Sequence, residues 1–366
     1  MDSVIQALIT GDGFRAHDRT EVNRGRINVE ILASLVGPPL RRSGAAVTVI
    51  AGYLGNDRAR CAFERRLGSL GDAFTWAQRS QVLAPSISRF YDELTDGYDL
   101  VVGFELAPSM VEYCAGRGLA AIDLTFHPVR FLDDLVLAAR AVPARLDAAI
   151  RQIELDFSAL SLVPATRRPD REKARRQFNA LVPPSRAEPS EIFFVQTRFD
   201  RSKFDGRGGF VDEIALIEES GIRPAFYKKH PVEPRTEIEF LLRRMGARPL
   251  DGTVDAYTVL CALSDRVAVS AISSSILAEA RTIGVAEVRA LFGYPWRMRG
   301  LEHLATPFAR DDPFEYVAVD RRLLTDGFWS AIVEGRDPPA NAPPGLDRDR
   351  LRSAWENPWG GGPQRV

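Results

Sequence analysis

Three clusters of polar residues in the second half of the chain have the types and spacing to bind and activate a phosphorylated ligand. In chain order they are Gln196 and Asp200; Lys228, Lys229 and His230; and Ser273, Ser274 and Ser275. Each cluster follows an apolar run that predicts a strand, and the serines also precede a helical pattern. The first N–H groups of a helix lack partners and lie at the positive end of its dipole, so the serines favour an anion such as phosphate.

Each cluster also has a purely structural explanation. One serine is enough to cap a helix, a lone histidine is most often structural, and a glycine-rich loop is polar in any case. We favour the anion site because the serines, the two lysines and His230 can meet one phosphate, and Pro231 holds the backbone at His230 extended. Asp200 could act as a general base, as a nucleophile or as a ligand of a sugar hydroxyl, and its spacing does not choose among these roles.

The first half of the chain places charged residues at predicted strand ends in the same way. Glu105 follows the apolar run from Tyr98 to Phe104, and His127 and Arg130 follow the next run, Leu119 to Leu124. In an open parallel sheet, ligands bind in the crevice outside the carboxyl ends of the strands. We therefore expect both halves to contribute residues to one site.

Strands and helices alternate along both halves, which is typical of parallel sheets covered by helices. We predict an α/β chain of two Rossmann-like domains, residues 1–185 and 186–335, that face each other across a cleft. Residues 133–182 have helical periodicity and no strand signal, which predicts a helical insert between the domains. We also predict that residues 314–335 are helical and that residues 336–366 form a tail rich in Pro, Gly and Arg.

The composition excludes several other classes of protein. A chain of 366 residues with 45% hydrophobic and 27% charged residues is globular and long enough for two cores. A net charge of −1 gives no general reason to bind nucleic acid, and three distant cysteines without a CxxC pair indicate a reducing cytosol. Neither a P-loop nor a GxGxxG follows the first strand, and no metal-ligand spacing is visible.

Together, these residues resemble the capsule-polysaccharide biosynthesis group of bacterial glycosyltransferases. That group has a Gln-x-x-x-Asp loop, a Lys-x-His-Pro motif and a Ser/Thr pair before a Glu-Ala helix, in this order. The chain has Gln196 to Asp200, Lys228 to Pro231, and Ser273 to Ser275 before Glu279. Within the group it is most similar to the retaining β-Kdo transferases, which are GT-B-type enzymes that use CMP-Kdo without a metal. The resemblance covers residues 192–284 and, more weakly, 105–130.

The resemblance implies a role for each matching residue. Asp200 matches the nucleophile of a double displacement, and Glu105 matches a glutamate of the first half that supplies acid/base or acceptor contacts. His230, Ser273 and Ser274 match residues that contact the CMP phosphate, whereas Lys229 stands where the group often has proline. The remaining donor-site residues that the resemblance suggests are Gln196, Lys228, Ser275 and Glu279.

The carboxylate of Kdo and the acceptor need further contacts. Because that carboxylate lies beside the anomeric carbon, its site requires cations, and Arg130, Arg198 and the two lysines can supply them. His127 belongs to a second His-Pro string, where the acceptor or the charged part of the donor could lie.

We therefore expect a glycosyltransferase that moves Kdo from CMP-Kdo to a cell-surface glycan or glycolipid with retention of configuration. Two alternatives stay open: another CMP-sugar transferase of the sialyltransferase kind, and a catalytically silent subunit that only binds the nucleotide sugar. We expect no metal or other cofactor and no nucleic-acid partner. The predicted location is the cytoplasm, with peripheral contact to the inner membrane as an open question.

Overall fold

The computed structural model describes residues 4–11, 22–51, 56–67, 83–130, 132, 134–157, 168–181, 189–196, 211–230, 235–250, 252, 256–340, 344–348 and 350–356. Two of the predicted site residues, Asp200 and Arg198, lie outside these ranges. Within them the chain forms two β-sheets with helices on both faces of each sheet. The predicted α/β class is confirmed.

The first sheet is mixed and has the strand order β11-β5-β4-β3-β1-β2. Its strands are β1 (Gln6–Gly11), β2 (Ala46–Ile50), β3 (Leu100–Phe104), β4 (Ala120–Phe126), β5 (Leu137–Val142) and β11 (Val317–Val319). Strands β1 to β4 are parallel to one another, whereas β5 is antiparallel to both β4 and β11. The chain reverses its direction of travel across the sheet between β1 and β3, which is a topological switch point.

The second sheet is fully parallel and has the strand order β10-β9-β6-β7-β8. Its strands are β6 (Ser190–Phe194), β7 (Phe226–Lys228), β8 (Arg248–Pro249), β9 (Val267–Ala271) and β10 (Glu287–Ala290). Strands β7 and β8 lie on one side of β6, and β9 and β10 lie on the other. The switch point of this sheet is therefore between β6 and β9.

The helices that cover the two sheets follow the alternation predicted from the sequence. They are α1 (Val22–Arg42), α2 (Asp57–Leu67), α3 (Pro85–Thr95), α4 (Pro108–Arg117), α5 (Ala144–Gln152), α6 (Arg168–Leu181), α7 (Glu213–Glu219), α8 (Thr236–Arg244), α9 (Ala256–Leu263), α10 (Ile276–Ile283), α11 (Pro307–Arg310), α12 (Asp326–Glu334) and α13 (Arg350–Glu356). Short 3₁₀ turns span Glu302–Leu304 and Arg321–Leu324.

Alternate strand residues enter different cores, as the period of two in a strand requires. In β1, Ile9 packs with α1 and α12, whereas its neighbour Leu8 packs with α2, α3 and α4. In β6, Phe194 faces α9 and α10, whereas Phe193 faces α7 and α8. The α9/α10 core also contains residues of the first sheet and its connections, namely Val129, Leu132, Val136, Ala138 and Leu155. The two sheets therefore share one hydrophobic cluster.

The prediction that residues 133–182 are wholly helical is wrong, because β5 lies within this stretch. Its side chains are buried along the whole strand, so the sequence lacks the alternation that marks a half-buried strand. Arg140 interrupts the apolar run, yet it is buried and paired with Asp123. Helices α5 and α6 account for the helical periodicity that follows the strand.

The last part of the chain returns to the first sheet. Strand β11 joins β5, although the sequence analysis grouped residues 314–335 with the second half and predicted only helix there. The predicted tail contains α13, whose Trp355 packs edge-on against Phe126 with ring centroids 4.2 Å apart. A strand of three residues next to a 3₁₀ turn has too few residues to show a period. Among the described residues, no helix combines the length and the apolar composition that crossing a membrane requires.

One buried carboxylate, that of Asp134 before β5, joins α13 to the first sheet. Asp134 is fully buried and accepts hydrogen bonds from Leu351 N (2.9 Å) and Arg352 N (2.7 Å) in the first turn of α13. We expect Asp134→Ala to lower the free energy of unfolding by about 2 kcal/mol, since buried donors left without acceptors cost about 1–3 kcal/mol. Urea unfolding followed by tryptophan fluorescence measures this loss.

The matched control is Asp347→Ala. Asp347 makes a partly exposed ion pair with Arg350 at the same end of α13, at 2.9 Å. Such surface pairs contribute about 0–1 kcal/mol. An equal loss of stability in the two variants would contradict the role of Asp134.

Candidate functional site

A hydrogen bond joins two of the predicted motifs at the switch point of the second sheet. Gln196 lies two residues after β6, and Ser273 lies two residues after β9. The Oε1 atom of Gln196 accepts a hydrogen bond from Ser273 N at 2.8 Å. The structure thus brings together two residues that are 77 positions apart in the sequence, at the place where ligands bind in this class of sheet.

The serine turn is held from the side of β10. Ser273 Oγ donates to Gly293 O at 2.6 Å, and Tyr294 OH donates to Ser274 O at 2.6 Å. Gly293 has a φ of +104°, and a Cβ there would lie 2.8 Å from Leu304 O, so only glycine fits this position. The backbone of the turn is therefore fixed before any ligand binds.

The turn presents hydrogen-bond donors at the start of α10. Within the described part of the chain, the N–H groups of Ser274 and Ser275 donate to no acceptor. Ser275 occupies the N-cap position with φ −53° and ψ −25°, and its side chain makes no capping hydrogen bond. Among the described residues, the only hydrogen bond from a backbone N–H at the start of α10 to a serine side chain is a long one, 3.4 Å, from Ile276 N to Ser274 Oγ. The serines thus contribute little to capping, which weakens the structural explanation for their presence.

The end of β7 provides two lysines in different environments. Lys228 is buried on the same face as Phe226, towards α9 and α10, and its Nζ lies 3.5 Å from Gly252 O. Lys229 instead forms a 2.8 Å ion pair with Glu239 on α8. His230 is partly exposed, and residues 231–234 lie outside the described ranges. Lys229 is therefore held within the protein by its ion pair.

The residues on either side of the undescribed stretch 197–210 are tied together by a buried ion pair. Arg235 Nη2 lies 2.6 Å from Glu213 Oε2, and Arg235 Nη1 donates to Gln196 O at 3.4 Å. The side chains of Arg235 and Glu213 are only 10% and 5% exposed. The backbone of Gln196 is thus held by Arg235, while its side chain holds the serine turn.

Glu279 connects the two halves at this site. It lies in the first turn of α10, is 1% exposed, and its Oε1 accepts a hydrogen bond from Arg130 N at 2.8 Å. Burial raises the pKa of Glu279 to about 8, although Arg130, Tyr257 and Arg352 partly oppose the shift. The carboxyl edge of the first sheet therefore meets the carboxyl edge of the second. The side chain of Arg130 is exposed there, whereas that of Glu279 is occupied by a contact within the protein.

Glu105 lies at the switch point of the first sheet, directly after β3. Its φ is +51°, a region that L-residues rarely adopt and that is frequent at functional sites. Its Oε1 accepts a hydrogen bond from Thr125 Oγ1 at 3.0 Å, and its side chain is partly exposed. Both the position and the backbone geometry of Glu105 fit a functional carboxylate.

His127 has a different environment from the one that the sequence suggested. It is buried, and its Nδ1 accepts a hydrogen bond from Val129 N at 3.2 Å, while Phe157 lies against the ring. Burial lowers the pKa of His127 to about 3, so the imidazole is neutral. In this structure His127 shapes the turn that presents Arg130, and it offers no positive charge to a substrate.

Several buried residues next to the site were not predicted from the sequence. Asp123 and Arg140 form a buried ion pair next to Glu105, and Tyr316 donates a hydrogen bond to the same carboxylate. A charged residue inside each of two apolar strands, AAIDLTF and LAARAV, was the available signal. Buried charges in strands are rare unless they are paired, so the two strands could have been predicted as neighbours.

Comparison with known proteins adds no assignment. No protein-family profile matches the chain, and no curated protein is significantly similar to it. Among the described residues, no three His, Cys, Asp or Glu side chains group closely enough to hold a metal ion. The resemblance to the β-Kdo transferases and the expected metal independence therefore stay predictions that rest on the motifs.

The environment of Glu279 predicts an unusual dependence of stability on pH. An unfolded glutamate ionises near 4.5, whereas folded Glu279 ionises near 8. Between these values the unfolded state releases the proton first, so the folded state of the wild type loses stability as pH rises. Glutamine mimics the neutral carboxyl, and we expect Glu279→Gln to melt above the wild type at about pH 8.5 but not at about pH 5.

Scanning calorimetry at both pH values measures this difference. The matched control is Glu287→Gln on β10, because the Glu287 side chain is 61% exposed. This control should follow the wild type at both pH values. If Glu279→Gln showed the same dependence on pH as the wild type, Glu279 would be ionised in the folded protein.

Proposed function

We propose that the chain is a GT-B-like glycosyltransferase that transfers Kdo from CMP-Kdo to a cell-surface glycan or glycolipid with retention. The observation that carries the proposal is the hydrogen bond between Gln196 and Ser273. It joins two of the three motifs at a switch point, beside the Ser274 and Ser275 N–H groups, which have no acceptor among the described residues. The two-sheet α/β architecture supports the proposal but does not identify the reaction.

The donor phosphate would bind at the start of α10. The N–H groups of Ser274 and Ser275 offer two donors, and the helix dipole adds positive potential. Lys228 and His230 at the end of the neighbouring strand contribute further positive charge or hydrogen bonds. Such groups stabilise the negative charge that develops on CMP as it leaves.

The acidic sugar would lie between the two sheets. Arg130 reaches this junction from the first half, and the contact between its backbone and Glu279 fixes the position from which its exposed guanidinium extends. A guanidinium can bind a carboxylate through two parallel hydrogen bonds. This chemistry favours a donor sugar with its own carboxylate over a neutral hexose.

Retention of configuration requires two displacements at the anomeric carbon. In the proposed reaction Asp200, which lies outside the described residues, attacks the anomeric carbon as the bond to CMP breaks. The acceptor hydroxyl then displaces Asp200 and gives its proton to Glu105. The strained backbone of Glu105 fits this role, because catalytic groups are often held in unfavourable conformations. A nucleotide-sugar donor and a glycolipid acceptor imply a cytoplasmic protein that works at the inner membrane.

The test is release of CMP from CMP-Kdo in the presence of a lipopolysaccharide or capsular acceptor. We expect turnover by the wild type, and a fall of about 10²–10⁴-fold for Glu105→Gln, which is typical for loss of a general base. Calorimetric titration with CMP should give the same affinity for both proteins, because Glu105 lies outside the phosphate site.

The matched control is Glu112→Gln, which removes an exposed carboxylate from α4 in the same half. It should leave turnover unchanged. Turnover of CMP-sialic acid but not of CMP-Kdo would refute the choice of donor. CMP binding without turnover of either sugar would favour the silent binding subunit, and absence of both binding and turnover would overturn the proposal.

A further inference from the structure

The backbone of Glu105 is held in an unfavourable conformation by its neighbours. Among the residues that the structure describes, Glu105 is the only one other than glycine with a positive φ. This region is unfavourable for L-residues because Cβ approaches a carbonyl oxygen. A residue keeps this conformation only when surrounding contacts hold its backbone in place. The contacts around residues 105 and 106 do so.

Three residues of β4 fix this turn. Glu105 N donates to Leu124 O at 2.8 Å, Leu106 N donates to Asp123 Oδ1 at 2.8 Å, and Thr125 binds the Glu105 side chain. The side chain of Leu106 folds back over Gly103, where an added Cβ would lie 2.1 Å from Leu106 Cγ. The turn is thus held by its backbone on one side and by packing on the other.

The two carboxylate oxygens of Asp123 have different hydrogen-bond partners. Oδ1 accepts from Leu106 N, whereas Oδ2 accepts from Arg140 Nε at 2.9 Å and from Tyr316 OH. Arg140 also lies 4.5 Å from the centre of the Tyr316 ring, and its Nη2 donates to Leu106 O at 3.4 Å. Asp123 and Arg140 therefore hold both the N–H and the carbonyl of Leu106.

Burying the ion pair of Asp123 and Arg140 has a desolvation cost that stability alone does not explain. Asp123 is 1% exposed and Arg140 is 3% exposed, so both charges have lost their water. Apolar residues of similar volume often stabilise a core as well as a buried ion pair does. This ion pair instead binds the backbone N–H and the backbone carbonyl of one residue, Leu106, next to a strained carboxylate, and such an arrangement can orient a functional group.

We propose that Asp123, whose charge is compensated by Arg140, is a positioning residue that fixes the Glu105 carboxylate towards the reacting sugar. The chemical consequence rests on the proposed function, whereas the geometric role does not. Asp123 acts only through the Leu106 N–H and touches no substrate. The turn follows β3 and is held by Asp123 of β4 and Arg140 of β5.

Activity separates this role from simple support of the fold. We expect Asp123→Ala to lower kcat for transfer at least about 10-fold, because small displacements of a catalytic group are costly. The KM for CMP-Kdo should not change, since the phosphate site is on the other sheet. Tyr316→Phe is the matched control, because it removes a partner of Oδ2 and leaves Oδ1 bound to Leu106. Its kcat should stay within about twofold of the wild type even if its melting temperature falls.

Asp123→Asn should recover kcat relative to Asp123→Ala, because the amide oxygen can still accept the Leu106 N–H. If Asp123→Ala does not fold, the double variant Asp123→Leu with Arg140→Met replaces the ion pair by apolar residues and also lacks the acceptor. Wild-type kcat in a folded variant without the acceptor would overturn the proposal. An equal loss of kcat in Tyr316→Phe would overturn it as well.

Hydrogen exchange tests the geometry without any assay of activity. The Leu106 amide should exchange at least about 10-fold faster in the variants without an acceptor, and at the wild-type rate in Asp123→Asn and Tyr316→Phe. Unchanged exchange in the variants without an acceptor would refute the positioning role. If the wild type turned over no CMP sugar, the proposed function would fail, and the exchange data would still decide whether Asp123 holds the turn.

Discussion

The hydrogen bond from Ser273 N to Gln196 Oε1 closes the carboxyl edge of the second sheet at its switch point. Parallel strands require crossover connections, so the ends of β6 and β9 are far apart in sequence even though the strands are neighbours. The amide of Gln196 bridges these ends. Because Ser273 is fixed in this way, the N–H groups of Ser274 and Ser275 lie at the start of α10, where they donate to no acceptor among the described residues. The side chain of Gln196 thus positions the serine turn.

The junction between the sheets depends on a second buried acceptor. The Glu279 carboxyl accepts the Arg130 N–H at the place where the first sheet approaches α10. Burial raises the pKa of Glu279 to about 8, so the group is largely neutral in the folded protein near pH 7. A neutral carboxyl joins two polar surfaces with a smaller desolvation cost than a buried charge. The guanidinium of Arg130 is exposed beside this contact.

The fold was predictable from the sequence wherever a strand or a helix has a clear period. The alternation of strands and helices indicated the α/β class, and the three motifs indicated which strand ends carry polar residues. Strand β5 was not predictable in this way, because it is buried along its whole length and contains Arg140. The site was predictable as a set of motifs. The charges inside β4 and β5 were a signal for the pair of Asp123 and Arg140, but the contact of Asp123 with Tyr316 was not predictable, since these residues lie 193 positions apart.

The sequence by itself determined the local chemistry: a serine turn before a helix, a lysine pair before a His-Pro, and carboxylates at strand ends. Tertiary structure decided which of these groups are available. It buried His127 as a neutral ring, paired Lys229 with Glu239, and committed Glu279 to the contact between the sheets. The reason is that burial and pairing depend on neighbours that the fold brings from distant positions. Residue type fixes what a side chain can do, and the environment fixes its charge, its partners and its exposure.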